Sequence, residues 1–317
     1  MLIKWNVTIP KLSGSAPRKA YVWLPDDYEA DPEKRYPVLY MFDGHNIFRD
    51  ELAAFGKSWG MEDYMQYTGK DLIIVAVECN HDGNQRLQEY SPVTYRNKEH
   101  GFIPGKAPTY MKWLVHHLKP YVDKRLRTLP DREHTSLAGS SMGGLIALYG
   151  ITTYNHVFRQ AACLSPSLWV APGKLLSMVT KAKYEPDTAI FLSYGQREMD
   201  NHSGNRLAVS SMAAQLYAKG VNLTLRIVRD GYHCEAAWEQ EVPIFIERLL
   251  DEIGKNYSVR VITSDNLIRV SAMRSGVLRT SSGEFSKELE WTLEQIEQVL
   301  NKTNLSAHKT LLKDGKQ

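Results

Sequence analysis

Cysteine is scarce, with Cys79, Cys163 and Cys234 the only three in 317 residues. An odd number without metal-type spacing offers neither a disulfide framework nor a zinc cluster. Two of the three sit in apolar strand-like runs, so they read as small buried hydrophobes of a reduced compartment. An excess of one charge is missing as well. The 39 Lys and Arg barely exceed the 36 Asp and Glu and are scattered along the chain, which excludes the footprint of a nucleic-acid binder. No apolar run approaches the roughly 20 residues that span a bilayer, and no internal repeat is present. Residues 1–9 alternate apolar and polar with period two, unlike the continuous apolar core of a secretory leader. The expectation is a soluble cytoplasmic protein that uses neither nucleic acid nor membrane; monomer and homo-oligomer both stay open.

What is present is an alternation of strands and helices. Residues 3–9 and 20–24 read as half-buried strands in a hairpin-like antiparallel start. The runs Val38-Leu39-Tyr40-Met41-Phe42 and 71–77 are too continuously apolar for edge strands. Residues 60–67 are helix-compatible, and 80–108, rich in Gly, Pro, Asn and charge, read as one long loop of the kind that is functional or mobile. A helix is predicted from Thr109 to about Arg127, with His116 and His117 as helix-surface and core-edge residues. The stretch 135–150 reads as a short buried strand, a glycine-rich corner and a helix; strands follow at 160–164, 189–194 and 223–228, and helices at about 205–219 and 236–253. This pattern predicts an α/β fold, a mostly parallel central sheet covered by helices on both faces, over residues 1–253. Residues 254–317 read as a small α+β extension. In it 257–263 and 267–270 pair as a hairpin, Phe285, Leu289, Leu293, Ile296 and Leu300 make an amphipathic helix, and the end is a polar tail.

Gly139-Ser140-Ser141-Met142-Gly143 carries the chemistry. It fits G-x-S-x-G, a nucleophile elbow, in which a serine sits on a strained turn between strand and helix with its hydroxyl exposed. The glycines suit so tight a corner because a side chain at Gly139 or Gly143 would collide with neighbouring backbone. The helix that follows points its first N–H groups at the same place. Serine is a poor nucleophile at neutral pH, so Ser141 needs a histidine to accept its proton and a carboxylate to orient that histidine.

Both arrive later, each after a strand end, where a parallel sheet gathers its catalytic groups. Gly231-Tyr232-His233 supplies the base. Glu198 supplies the acid, with Asp200 as the alternative and Asp230 as a third. Oxyanion donors are expected from the Met142 N–H and the His45 N–H in Asp43-Gly44-His45. Arg86 and Tyr90 are candidate substrate contacts, with an Arg86–Glu89 pair and a packed tyrosine as equal readings. Trp169 either lines the cleft or packs in the core. A metal held by Asp43, His45 and His81 lacks any recognisable spacing, and no metal or cofactor is expected.

The runs 36–44, 86–92, 139–144, Ser165-Pro166-Ser167, Gly195-Gln196-Arg197-Glu198 and Gly231-Tyr232-His233 together resemble the esterase D-like family of α/β-hydrolases, over roughly residues 17–250. That family includes feruloyl and acetyl-xylan esterases, S-formylglutathione hydrolase, trilactone siderophore esterases and mycolyltransferases. The resemblance implies an α/β-hydrolase fold without cofactor, Ser141 as nucleophile, His233 as base and the Glu198 position as acid, where many members carry aspartate. The segment from about Gly254 onward departs from its usual single domain. A serine carboxylic-ester hydrolase acting on a small or medium ester is the expected activity. Acyl transfer, thioester cleavage and non-catalytic binding on the same scaffold are the rivals.

Overall fold

The computed structural model of the protein describes residues 1–198, 202–250, 260–262, 278–280 and 287. Its contacts divide the chain into Met1–Leu250 and Asp251–Gln317. In the first unit the strands are β1 (Leu2–Thr8), β2 (Pro17–Trp23), β3 (Val38–Phe42), β4 (Ile73–Val77), the short pair β5 (Tyr95–Asn97) and β6 (Gly101–Ile103), β7 (Thr135–Ser140), β8 (Gln160–Leu164), β9 (Ala189–Gly195) and β10 (Asn222–Val228). Eight of them form one sheet in the order β1-β2-β4-β3-β7-β8-β9-β10. β2 runs antiparallel to both its neighbours, and every pairing from β4 to β10 is parallel. The expected antiparallel start and parallel body are both present.

The continuous apolar runs have a simple cause. Successive strand side chains point to opposite faces, so a strand covered on both sides needs an apolar residue at every position. In β3, Val38, Tyr40 and Phe42 enter one apolar cluster while Leu39 and Met41 enter the other. Helices Met142–Thr153, Pro172–Lys181 and His202–Ala218 supply the first cluster with Leu145, Ile151, Leu175, Val179, Val209 and Leu216. Helices Met61–Thr68 and Val242–Leu249 supply the second with Met61, Met65, Phe245 and Ile246. Ten of the twelve residues of Met142–Thr153 are buried, which is why that helix is apolar all round.

Four elements differ from the sequence reading. Helix Pro172–Lys181 lies where no helix was expected; its signals are a proline in the first turn and the apolar spacing Leu175, Met178, Val179. Residues 80–108 contain helix Gln85–Tyr90 and the β5–β6 ladder rather than loop alone. The helix predicted from Thr109 begins at Ala107 and passes through a π-turn at Leu114–Leu118, where the Lys119 N–H reaches the Leu114 carbonyl. Pro120 has no N–H to give the fourth carbonyl back, so the ladder slips by one residue there. The last predicted helix is split into Glu235–Glu239 and Val242–Leu249, with Pro243 in the first turn of the second.

In the second unit, β11 (Arg260–Ile262) pairs in parallel with β12 (Leu278–Thr280). The expected hairpin partner at 267–270, the helical stripe from Phe285 to Leu300 and the polar tail lie outside the described residues. Among the described residues no helix is long and apolar enough to cross a membrane.

Candidate active site

β7 ends at Ser140, and Ser141 adopts φ 57° and ψ −122° before the helix begins at Met142. Few non-glycine residues occupy that region, and they persist there only when their surroundings over-determine them. Here the Ser141 N–H donates to the Leu164 carbonyl at 3.0 Å, while the Ser141 carbonyl accepts from the Leu145 and Ser167 N–H groups, each at 3.0 Å. The crossing is close enough that a Cβ on Gly139 would stand 2.5 Å from the Gly143 backbone. The first N–H groups of the helix, Met142 included, have no partner within it and face this corner.

The turn after β9 delivers Glu198 and the turn after β10 delivers His233. Nε2 of His233 lies 2.9 Å from Ser141 Oγ, and its Nδ1 lies 3.0 Å from Glu198 Oε2. A carboxylate can only accept, so Nδ1 carries the hydrogen and Nε2 is left to accept from the serine hydroxyl. Glu198 is buried, and its other oxygen accepts from the Gly195 N–H at 2.6 Å and from the Ser165 hydroxyl. The two loops touch backbone to backbone. The Arg197 N–H donates to the Gly231 carbonyl at 3.0 Å, and a Cβ on Gly195 would stand 2.4 Å from that same oxygen. Asp230 turns to Arg197 at 2.8 Å in a solvent-exposed pair, away from the histidine. Asp200 lies outside the described residues.

The turn after β3 comes against the elbow from the other side. A Cβ on Gly143 would be 3.0 Å from Asp43 Oδ2, which sets the 3-10 turn Gly44–Asn46, with buried His45, beside the start of the elbow helix. Asp43 adopts φ 57° and is held there by three contacts. Arg86 Nε and Nη2 donate to its two carboxylate oxygens at 2.7 and 2.8 Å, and its own N–H donates to the Tyr90 hydroxyl at 3.2 Å. Burial pushes the Asp43 carboxyl up, but the adjacent Arg86 guanidinium outweighs it and holds the group below the usual carboxylate range.

Two expectations are corrected here. Tyr90 is fully buried, packed against Phe42 and Tyr110 with ring centroids 5.5 Å away in each case, so it cannot meet a substrate. Arg86 is tied to Asp43 rather than to Glu89, which instead pairs with Arg18 at 2.8 Å. Helix formation over Gln85–Tyr90 turns both side chains toward the β3 corner. Trp169 stands beside His233 in a shallow depression shared with Pro166, Leu168, Tyr194 and Val209, and also packs against the core and the Tyr95 ring, so both of its expected readings hold.

Replacing Arg86 by Leu would leave the buried Asp43 charge without its partner. Stability should fall by about 3 kcal/mol, the lower end for a broken buried pair because Arg86 is itself partly solvated. Melting temperature should drop by about 10 °C. The depressed carboxyl contributes stability that is present above the unfolded pKa, about 4, and is lost as pH falls through the lower folded value. The Leu variant should therefore show a shallower loss of stability below pH 4, as acid-titrated thermal denaturation would reveal.

Residues 14–250, three quarters of the chain, match the model of the family described as Putative esterase. The chain belongs to that family. It is a carboxylic-ester hydrolase. Uncharacterized protein YbbA of Bacillus subtilis is 23% identical over 184 residues, covering 57% of this chain and 69% of YbbA. Ferri-bacillibactin esterase BesA of the same organism is 22% identical over 254 residues, covering 74% of this chain and 84% of BesA. Among solved structures, an IroE-like serine hydrolase from Shewanella oneidensis shares the fold at TM-score 0.62 and 19% identity, over 93% of this chain and 94% of that one. A second model, YacP-like NYN domain, matches residues 237–315 and overlaps the end of the esterase match over residues 237–250.

The sequence reading missed several residues that support this esterase's site. Trp238 packs edge-on against the His233 ring at 5.0 Å and donates from Nε1 to Ser165 Oγ at 3.0 Å, so it braces the histidine and the acid's partner at once. Asn46 ties the β3 turn to the histidine side by donating to Glu235 Oε1 at 3.1 Å. The indole at i+5 from His233 was a visible signal; the Asn46–Glu235 contact, 189 residues apart, had none.

Proposed function

We propose that Ser141, His233 and Glu198 are the nucleophile, base and acid of this esterase. The continuous chain of hydrogen bonds from the serine hydroxyl through the imidazole to a buried carboxylate carries the reading. Ser141 Oγ attacks the ester carbonyl as His233 Nε2 takes its proton. The tetrahedral oxyanion accepts hydrogen bonds from the Met142 and His45 N–H groups, and the imidazolium returns the proton to the leaving alcohol. Water then enters along the same route, giving its proton to His233 and freeing the acid from Ser141. Glu198 stays ionised throughout and stabilises the imidazolium.

The cleft of Pro166, Leu168, Trp169 and Val209 fits the apolar, flat part of a small-molecule ester. Its relationship to BesA favours siderophore esters as the substrate class. Three free thiols support a cytoplasmic site of action. A fluorophosphonate probe should label the protein on Ser141 within minutes, with labelling at least a hundredfold slower in His233→Ala. Labelling on another residue, or none, would overturn the assignment.

A further inference from the structure

Behind the β3 turn, three soft or borderline side-chain ligands converge; of these residues the proposed hydrolysis uses only the backbone N–H of His45, not its ring. His45, Cys79 and His81 each offer a ligand atom, all within 4.8 Å of one another, and Cys79 Sγ lies 3.9 Å from His81 Nδ1. They come from the carboxyl ends of two paired parallel strands, His45 after β3 and Cys79 and His81 after β4. His45 is only 7% exposed, and its Nδ1 is buried with no hydrogen-bond partner, a desolvated nitrogen that a native protein rarely leaves unused. Its ring meets His81 edge-on at 4.5 Å.

We propose that His45, Cys79 and His81 form a binding site for a zinc-class divalent cation, separate from the Ser141 triad. Two imidazoles and a thiolate suit such an ion, and tetrahedral bonds of about 2.0–2.3 Å set the ligand atoms about 3.4–3.6 Å apart. Side-chain rotation of about 1 Å closes the observed spacing. Cys79 gives up its thiol proton to solvent on binding. His81 is exposed and provides the entry path, and water completes the coordination. Asp43, whose oxygens each accept one hydrogen bond from Arg86, is not one of the converging ligands.

Cobalt(II) titrated into the chelator-treated full-length protein should give a thiolate-to-cobalt charge-transfer band that saturates at one equivalent. Zinc in hundredfold excess over its dissociation constant should raise the melting temperature by roughly 5 °C. Cys79→Ala should abolish the band and His81→Ala should weaken zinc binding tenfold or more, whereas Cys234→Ala and His233→Ala should change neither. His81 is exposed, so its variant keeps the test decisive should Cys79→Ala fail to fold. Absence of the band, its survival in Cys79→Ala, or a zinc-induced rise undiminished in His81→Ala would overturn the proposal. Because binding is read without any ester, its failure leaves the triad assignment standing, and the reverse also holds.

Discussion

Ser141→Ala should lower kcat for an activated acyl ester by about 10⁴-fold or more while leaving melting temperature within about 3 °C of wild type. The size follows from the role. Without the hydroxyl no acyl-enzyme forms, and only the oxyanion donors and the cleft act on direct attack by water; losses of 10⁴ to 10⁶ are typical when one member of such a unit is removed. The small structural effect follows from where the strain lies. φ at 141 is set by backbone bonds to Leu164, Leu145 and Ser167, none of which involves the hydroxyl. Stopped-flow hydrolysis of p-nitrophenyl acetate together with thermal denaturation would measure both. Activity within tenfold of wild type would remove Ser141 from the mechanism.

The second large effect is expected at the acid. Glu198→Gln keeps the volume and one acceptor but presents an amide to a position that now receives an N–H. The imidazole answers by taking the other tautomer, with its hydrogen on Nε2 facing Ser141, and a protonated Nε2 cannot act as base. A loss of about 10⁴-fold in kcat is expected, with little change in KM because the side chain lies behind the histidine. Glu198→Asp retains the charge but withdraws it by one methylene, about 1.5 Å, from a histidine whose position is fixed by Trp238; roughly a hundredfold loss should follow. If Glu198→Gln kept activity within tenfold of wild type, the acid would lie elsewhere, and Asp200 would be the next residue to replace.

The sheet was legible because burial on both faces leaves a mark on every position of a strand, as in 38–42 and 73–77. The corner at 139–143 was legible because its geometry admits few residue types, and the approach of the Glu198 and His233 loops to Ser141 because loops after the strands of a parallel sheet emerge at one end of it. What could not be read was anything that depends on which way a short helix faces. Arg86 and Tyr90 sit four apart on Gln85–Tyr90, and only the fold decides that one clamps Asp43 while the other fills the core. Cys79 is the buried member of an apolar cluster that its strand-like run predicts; its closeness to His45 could not be read, because the two follow different strands and lie 34 residues apart in the chain. The missing helix at 172–181 is short and starts on proline, so its apolar period runs through barely two turns.

Backbone contact between Gly195 and Gly231 fastens the loop that carries Glu198 directly to the loop that carries His233. A side chain at position 195 would meet the Gly231 carbonyl and force the Glu198 and His233 loops apart, so this one crossing sets how near the carboxylate and the imidazole can come.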